Sequence, residues 1–242
     1  MICKLCLQDK PLLKKSHIAP DFFYKEFKDE DNSFLKVKLD TVTSKKTYTG
    51  LFEPDILCQN CDNIVLSQLE GYAYNVLYTG KIKNLKMRNE ITSDGVEWVL
   101  CEGVDYKKFK LFLLSLVWRF SISSNDFYRF VDLGEHEETI RKMIFEGDAG
   151  DVLQFPCSVS SYRRYTDLPF EIISQPMKHR HNGGICYSVI MGGLVYTFYG
   201  SNKLIPDYIG EIVINKNNQL KVLQIPRDHA IKIIRKYMGL KN

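Results

Sequence analysis

The sequence predicts an α+β protein in two units: a cysteine-organised N-terminal unit over residues 1–100, and an accessory unit of helices and antiparallel strands over residues 101–242. Three observations carry this expectation. Two Cys-x-x-Cys pairs, Cys3/Cys6 in CKLC and Cys58/Cys61 in CQNC, bracket the start of the chain. A strongly apolar segment with helical spacing, YKKFKLFLLSLVWRFS, fills 106–121. Beyond Gly150, short runs rich in β-branched and aromatic residues are punctuated by glycine and asparagine pairs, as in a chain of strands and turns.

Each element follows from its local pattern. IAPDFFYKEF at 18–27 has a Pro-Asp start and the apolar spacing of a short helix. Residues 34–49 alternate and read as one or two strands, with Gly50 turning the chain back towards Cys58. A helix is expected over 62–78, with Asp62 or Asn63 as its N-cap. Strand character returns around 96–100, and a further helix is expected within 135–145. In the second unit FPCSVSSY, ICYSVIMGGLVYTFYGS and YIGEIVINKNNQLKVLQI read as strands, with Gly183-Gly184, Gly192-Gly193 and Asn217-Asn218 as turn or bulge signals. A closing helix over 227–238 ends at Gly239.

The 242 residues carry 33 Lys and Arg against 29 Asp and Glu, a net charge of +4, and the excess lies in the second unit. Such a balance gives little support to tight non-specific binding of nucleic acid. The longest apolar run is far shorter than the ~20 residues of a membrane span, and it contains Arg119. Lys4, Asp9 and Lys10 stand where a secretory signal would be apolar, so the expectation is a cytoplasmic protein with no membrane partner. Seven cysteines in a reducing compartment argue against a disulfide framework, and Cys101, Cys157 and Cys186 read as small buried hydrophobes.

The two Cys pairs suit a tetrahedral zinc ion, each loop presenting two sulfurs at ~2.3 Å. A tight loop bearing Cys3 and Cys6, together with Cys58 and Cys61 at a helix start, is the outline of a treble clef. Zinc held by four thiolates has no open position, so this ion would be structural.

Between the pairs lies Ser16-His17-Ile18-Ala19-Pro20. CKLC, SHIAP and LCQNC, in this order over roughly residues 1–70, resemble the zinc-containing HNH, or ββα-metal, nucleases, and are similar to uncharacterised bacterial proteins labelled HNH-like. The resemblance implies that His17 is the general base for a water attacking a DNA phosphodiester, with a catalytic divalent cation (Mg2+, Mn2+ or Ni2+) stabilising the charge. It implies a cation site completed by Asp62 or Asn63, with Ser16 where the family often has Asp or His and Glu53 where it has Asn. A role in defence against phage is implied in the same way.

Several residues have two readings. His17 could instead hydrogen-bond the zinc loop or cap the helix that follows. Glu53 and Asp55 read as solvated loop acids rather than ligands, and Glu70, eight residues after Asp62, could reach the site or lie on the surface. Lys14-Lys15 just before His17, and Lys178 and Arg180 in KHRHNGG, are candidate phosphate contacts, although KHRH also reads as a solvated hairpin tip. Lys107, Lys108 and Lys110 oppose the helix dipole and read as a partner surface or as solubilising charge, whereas Phe109, Phe112, Leu116 and Trp118 read as core. The functional alternative to a nuclease is a non-catalytic zinc module that recognises nucleic acid or a protein partner.

Overall fold

Alternating and helical patterns become strands and helices largely where the sequence places them. The computed structural model describes residues 1–26, 33–38, 43–181, 184–200 and 209–238. After the first Cys pair come β1 (Ser16–His17) and α1 (Asp21–Glu26), which starts directly after Pro20. The stretch at 34–49 forms two strands, β2 (Phe34–Lys38) and β3 (Thr43–Thr47), paired antiparallel. β4 (Phe52–Glu53) returns to β1, with Ser16 opposite Glu53 and His17 opposite Phe52.

The expected helix over 62–78 is longer and less regular. It comprises a π-helical segment, Cys61–Leu66, then α2 (Ser67–Tyr74), then a second π segment, Asn75–Thr79, and it ends at Gly80, whose φ of 66° is the left-handed cap glycine accepts at no cost. Neither Asp62 nor Asn63 is its N-cap. Both lie inside the first turn, where the Asp62 N–H already donates to the Cys58 carbonyl at 3.1 Å. Wide turns of this kind are often found at functional sites.

β5 (Lys86–Ile91) and β6 (Glu97–Glu102) precede α3 (Tyr106–Ile122), whose N-cap Asp105 accepts from the Lys108 N–H at 3.0 Å. α3 is the centre of the molecule: Phe109, Phe112, Leu113, Leu114 and Leu116 are fully buried, each contributing roughly 1.5–3 kcal/mol of apolar burial. α4 (His136–Glu146) packs against α3. Then follow β7 (Cys157–Ser161), β8 (Ile172–Ser174), β9 (Met177–His181), β10 (Gly184–Met191), β11 (Leu194–Tyr199), α5 (Ile209–Ile212), β12 (Gln219–Gln224) and α6 (Arg227–Met238).

Among the described residues, the strands other than β1 and β4 form one ten-stranded mixed sheet in the order β3-β2-β8-β10-β11-β7-β12-β6-β5, with β9 also paired to β10. The β2–β8 and β7–β12 pairs are parallel. Alternation gives the sheet two apolar faces. Phe34 and Ile173 join the large core around α3, the knuckle and the first helices, while Val37 and Ile172 join a smaller core under α6 with Ala230 and Ile234. Residue 100 falls inside β6, and strands from both sides of it share the sheet: Leu35 pairs with Ile172, and the large core runs from Cys3 to Val222. Gly192 and Gly193, at φ 59° and 73°, make the two-residue turn between β10 and β11. Gly183 and Gly239, read as turn and helix-stop signals, lie outside the described residues.

Two expectations about charge are corrected. KHRH belongs to the paired strand β9 rather than to a hairpin tip. Lys110 is neither a partner surface nor a solubilising charge: it is 2% exposed, and its ammonium donates to the Tyr106 hydroxyl at 3.1 Å and to the Asp151 carbonyl. The helical turn of α3 that holds it faces inward, and burial pushes the Lys110 pKa down to about 8. Among the described residues, no helix is long and apolar enough to cross a membrane.

Candidate functional site

The four cysteines converge. Cys3 and Cys6 sit on a tight loop in which the Leu7 N–H donates to the Cys3 carbonyl at 2.9 Å and the Cys3 N–H to Gln8 at 3.0 Å. Leu7 adopts φ 57° there, a left-handed conformation that closes the turn. Cys58 and Cys61 enter with the long helix, and the Cys58 N–H donates to Cys3 Sγ at 3.3 Å. All four sulfurs lie within 4.8 Å of one another. A tetrahedral ion with ~2.3 Å bonds needs sulfur separations of ~3.8 Å, and Cys6 and Cys58 are 4.0 Å apart. Burial raises the Cys3 thiol, but N–H groups of Cys6, Cys58 and Leu5 outweigh it and bring it down to about 7. Cys61 is pushed up by burial and by its sulfur neighbours. Clustered thiols that resist joint ionisation are the electrostatic situation a bound cation relieves, so the group can hold a metal such as zinc.

His17 lies on β1, in the separate two-stranded sheet that β1 makes with β4. Its ring lies 6.2 Å from Tyr24 and 6.3 Å edge-on to Phe52, and its Nε2 is 3.7 Å from the Asp21 carboxylate. The side chain is 37% exposed, so a substrate has access. Gly50 lets the hairpin close over it: a Cβ there would come within 2.7 Å of Tyr24 and 3.0 Å of His17 Cδ2. The main-chain carbonyl of His17 accepts from Arg119 Nη1 at 3.1 Å, and the same nitrogen donates to Glu70 Oε1 at 2.6 Å.

Asp62 faces this group from the first turn of the helix. Burial raises its carboxyl; Arg119 opposes the shift, Glu70 adds to it, and His17 and Ser16 oppose it. Ser16 Oγ is fully buried, faces Asp62, and has no hydrogen bond of normal geometry. His17, Asp62 and Glu70, distant in sequence, therefore share one electrostatic neighbourhood above Arg119. Asn63 is exposed and is bonded to none of them. The arrangement offers a half-exposed imidazole, the Asp62 carboxylate, and a buried guanidinium already bonded to Glu70.

Other residues singled out in the sequence lie elsewhere. Glu53 is not a solvated acid: at 8% exposure it accepts from the Ser124 N–H at 2.9 Å and from the hydroxyls of Ser123 and Ser124. Burial acts to raise its carboxyl, and these bonds with nearby Lys4 hold it below its ordinary value. Asp55 pairs with Lys14 at 3.2 Å, and Lys15 lies 5.0 Å over the Phe52 ring. Lys178 and Arg180 line a separate cleft of about 410 Å³ with Asp132, Glu135 and His136.

Arg119 was not among the expected site residues. Its signal was present, since a cation in the apolar second half of α3 needs a partner once buried. No family model, no curated protein and no solved structure matches this chain.

Proposed function

We propose that the chain is a metal-dependent HNH-like nuclease that hydrolyses DNA phosphodiester bonds, on a treble-clef scaffold tied together by zinc at Cys3, Cys6, Cys58 and Cys61. The observation that carries the reading is that Asp62, on the helix that follows Cys58, lies within electrostatic reach of His17 on β1. The hairpin, helix and thiol cluster occur in the order the resemblance implies. A role in phage defence goes with that resemblance.

In this reading His17 removes the proton from the attacking water. The Asp21 carboxylate, which also pairs with Lys25, lies 3.7 Å from the His17 Nε2. Arg119 holds the His17 main chain so that the ring's position is set by the hairpin and not by solvent. The buried Ser16 hydroxyl lies beside Asp62 and opposes the rise of its carboxyl. A divalent cation held by Asp62, with Asn63 or Glu70 within the same turns of helix, would supply charge for the leaving oxygen.

A second reading, a non-catalytic zinc module that binds nucleic acid or a protein, is favoured by Ser16 at a position where an acidic or imidazole ligand is expected, and by the engagement of Glu70 with Arg119. Supercoiled plasmid and single-stranded DNA, incubated with zinc-loaded protein and magnesium, manganese or nickel, separate the two. Metal-dependent nicking that His17→Ala abolishes at unchanged zinc content supports the nuclease; no cleavage of any substrate by wild type supports the binding module.

A further inference from the structure

We propose that the ribbon formed by β2 and β3 is the surface that takes the phosphate backbone of duplex DNA. The inference rests on nucleic acid as the ligand of the site above, and not on its cleavage.

The ribbon carries like charges where a purely structural ribbon avoids them. Lys36 on β2 lies directly opposite Lys45 on β3, and Lys38 follows on the same face. Like charges in direct cross-strand register are destabilising. Burial lowers the Lys36 pKa, and its neighbours Lys38 and Lys45 lower it further. Lys38 meets Asp126 at 2.5 Å, and Arg129 bonds the same carboxylate at 3.0 Å. Lys36 lies 5.6 Å over the Phe127 ring and Lys45 is exposed; neither has an acidic partner among the described residues. Three lysines therefore share a face whose bonded carboxylate, among those residues, is already divided between Lys38 and Arg129.

The ribbon's position adds an independent argument. β3 is the terminal strand of the sheet, so its outer edge is open among the described residues. The lysine face also carries Phe34, whose ring packs 4.8 Å from Tyr24, and Tyr24 lies against His17. A backbone lying along Lys36, Lys38 and Lys45 is thus joined to the imidazole through two rings. Lysines at the edge of the sheet can meet phosphate without needing base contacts.

The test is the salt dependence of binding, read by fluorescence anisotropy of a labelled DNA duplex with the zinc-loaded full chain. Lys36→Gln/Lys45→Gln is expected to weaken binding about tenfold at low salt and to flatten the slope of log K against log salt by roughly 1.8, at about 0.9 per phosphate contact. Lys45→Gln alone, at an exposed position that does not endanger folding, is expected to remove about half of that slope change. Lys178→Gln/Arg180→Gln is expected to leave the slope unchanged. A slope indifferent to Lys36 and Lys45, or a wild type that binds no duplex at low salt, overturns the proposal. A protein that binds through these lysines but never cuts retires the nuclease reading and keeps the ribbon; one that cuts with a lysine-independent slope does the reverse.

Discussion

Arg119, 1% exposed within α3, donates to the main-chain carbonyl of His17 at 3.1 Å. This bond joins the helix at the centre of the core to the hairpin that bears the imidazole. Because the guanidinium also pairs with Glu70 and donates to the Ser115 carbonyl at 3.2 Å, hairpin, long helix and core meet at one cation.

Arg119→Met leaves Glu70 and the His17 carbonyl without their donor while adding no unpaired charge at position 119. Breaking a buried pair from one side costs about 3–5 kcal/mol, and urea denaturation is expected to show a loss of that size. Glu70→Gln in the same background is expected to recover part of it, because the stranded carboxylate is then neutral. Additive losses would mean that the pair is not coupled.

The thiol cluster ties the N-terminal loop to the helix start, so removing one sulfur should release both. Wild type is expected to hold one zinc ion per chain, and Cys58→Ser to lose it and to lower Tm by on the order of 10 °C. Metal analysis and thermal melting of the same samples check this. A variant that melts like wild type would contradict a structural ion.

Glu53 ties the hairpin to the end of α3 through Ser123 and Ser124, and its carboxyl is held below the ordinary 4.5. A group whose folded-state pKa is depressed contributes stability above its unfolded pKa and loses it as pH falls through the folded value. Glu53→Gln is expected to cost about 1–3 kcal/mol near neutral pH. That difference should shrink as pH drops below about 4.5, measured as the gap between wild-type and variant unfolding free energies.

Lys110 gives a dependence of the same sign in an alkaline window. Its folded-state pKa of about 8 lies below the 10.5 of an exposed lysine, so unfolding takes up a proton between those values. The stability of wild type relative to Lys110→Met is therefore expected to rise by about 1.4 kcal/mol per pH unit from about pH 8 to pH 10. A gap that is flat over this range would mean that the ammonium is solvated in the folded protein.

The thiol cluster, the helices at 106–122 and 227–238 and the strand character beyond 150 were legible because each is a local pattern: cysteine spacing, a 3.6-residue apolar stripe, alternation. Pairing between distant segments was not. Nothing in FLKVK reveals that β2 lies parallel to Ile172–Ser174, so the hairpin between the Cys pairs could not be assigned from sequence to the large sheet. His17 and Asp62 were singled out by the resemblance that CKLC, SHIAP and LCQNC carry. Arg119, Glu53 and Lys110 were misjudged or missed for one reason: a charged residue's burial depends on the donors and acceptors that tertiary packing brings to it. Lys36 and Lys45 acquire their meaning only from strand register.

Single-turnover cleavage of a DNA duplex, followed against divalent-cation concentration for wild type, His17→Ala and Asp62→Ala at equal zinc content, tests the central claim most directly. The account predicts that His17→Ala loses on the order of 10²–10⁴-fold in rate at saturating cation, as removal of a general base does. The cation concentration for half-maximal rate should stay unchanged in that variant, whereas Asp62→Ala should shift it upward. Wild-type rates and cation dependence in both variants, or a wild type that never cuts, would contradict it.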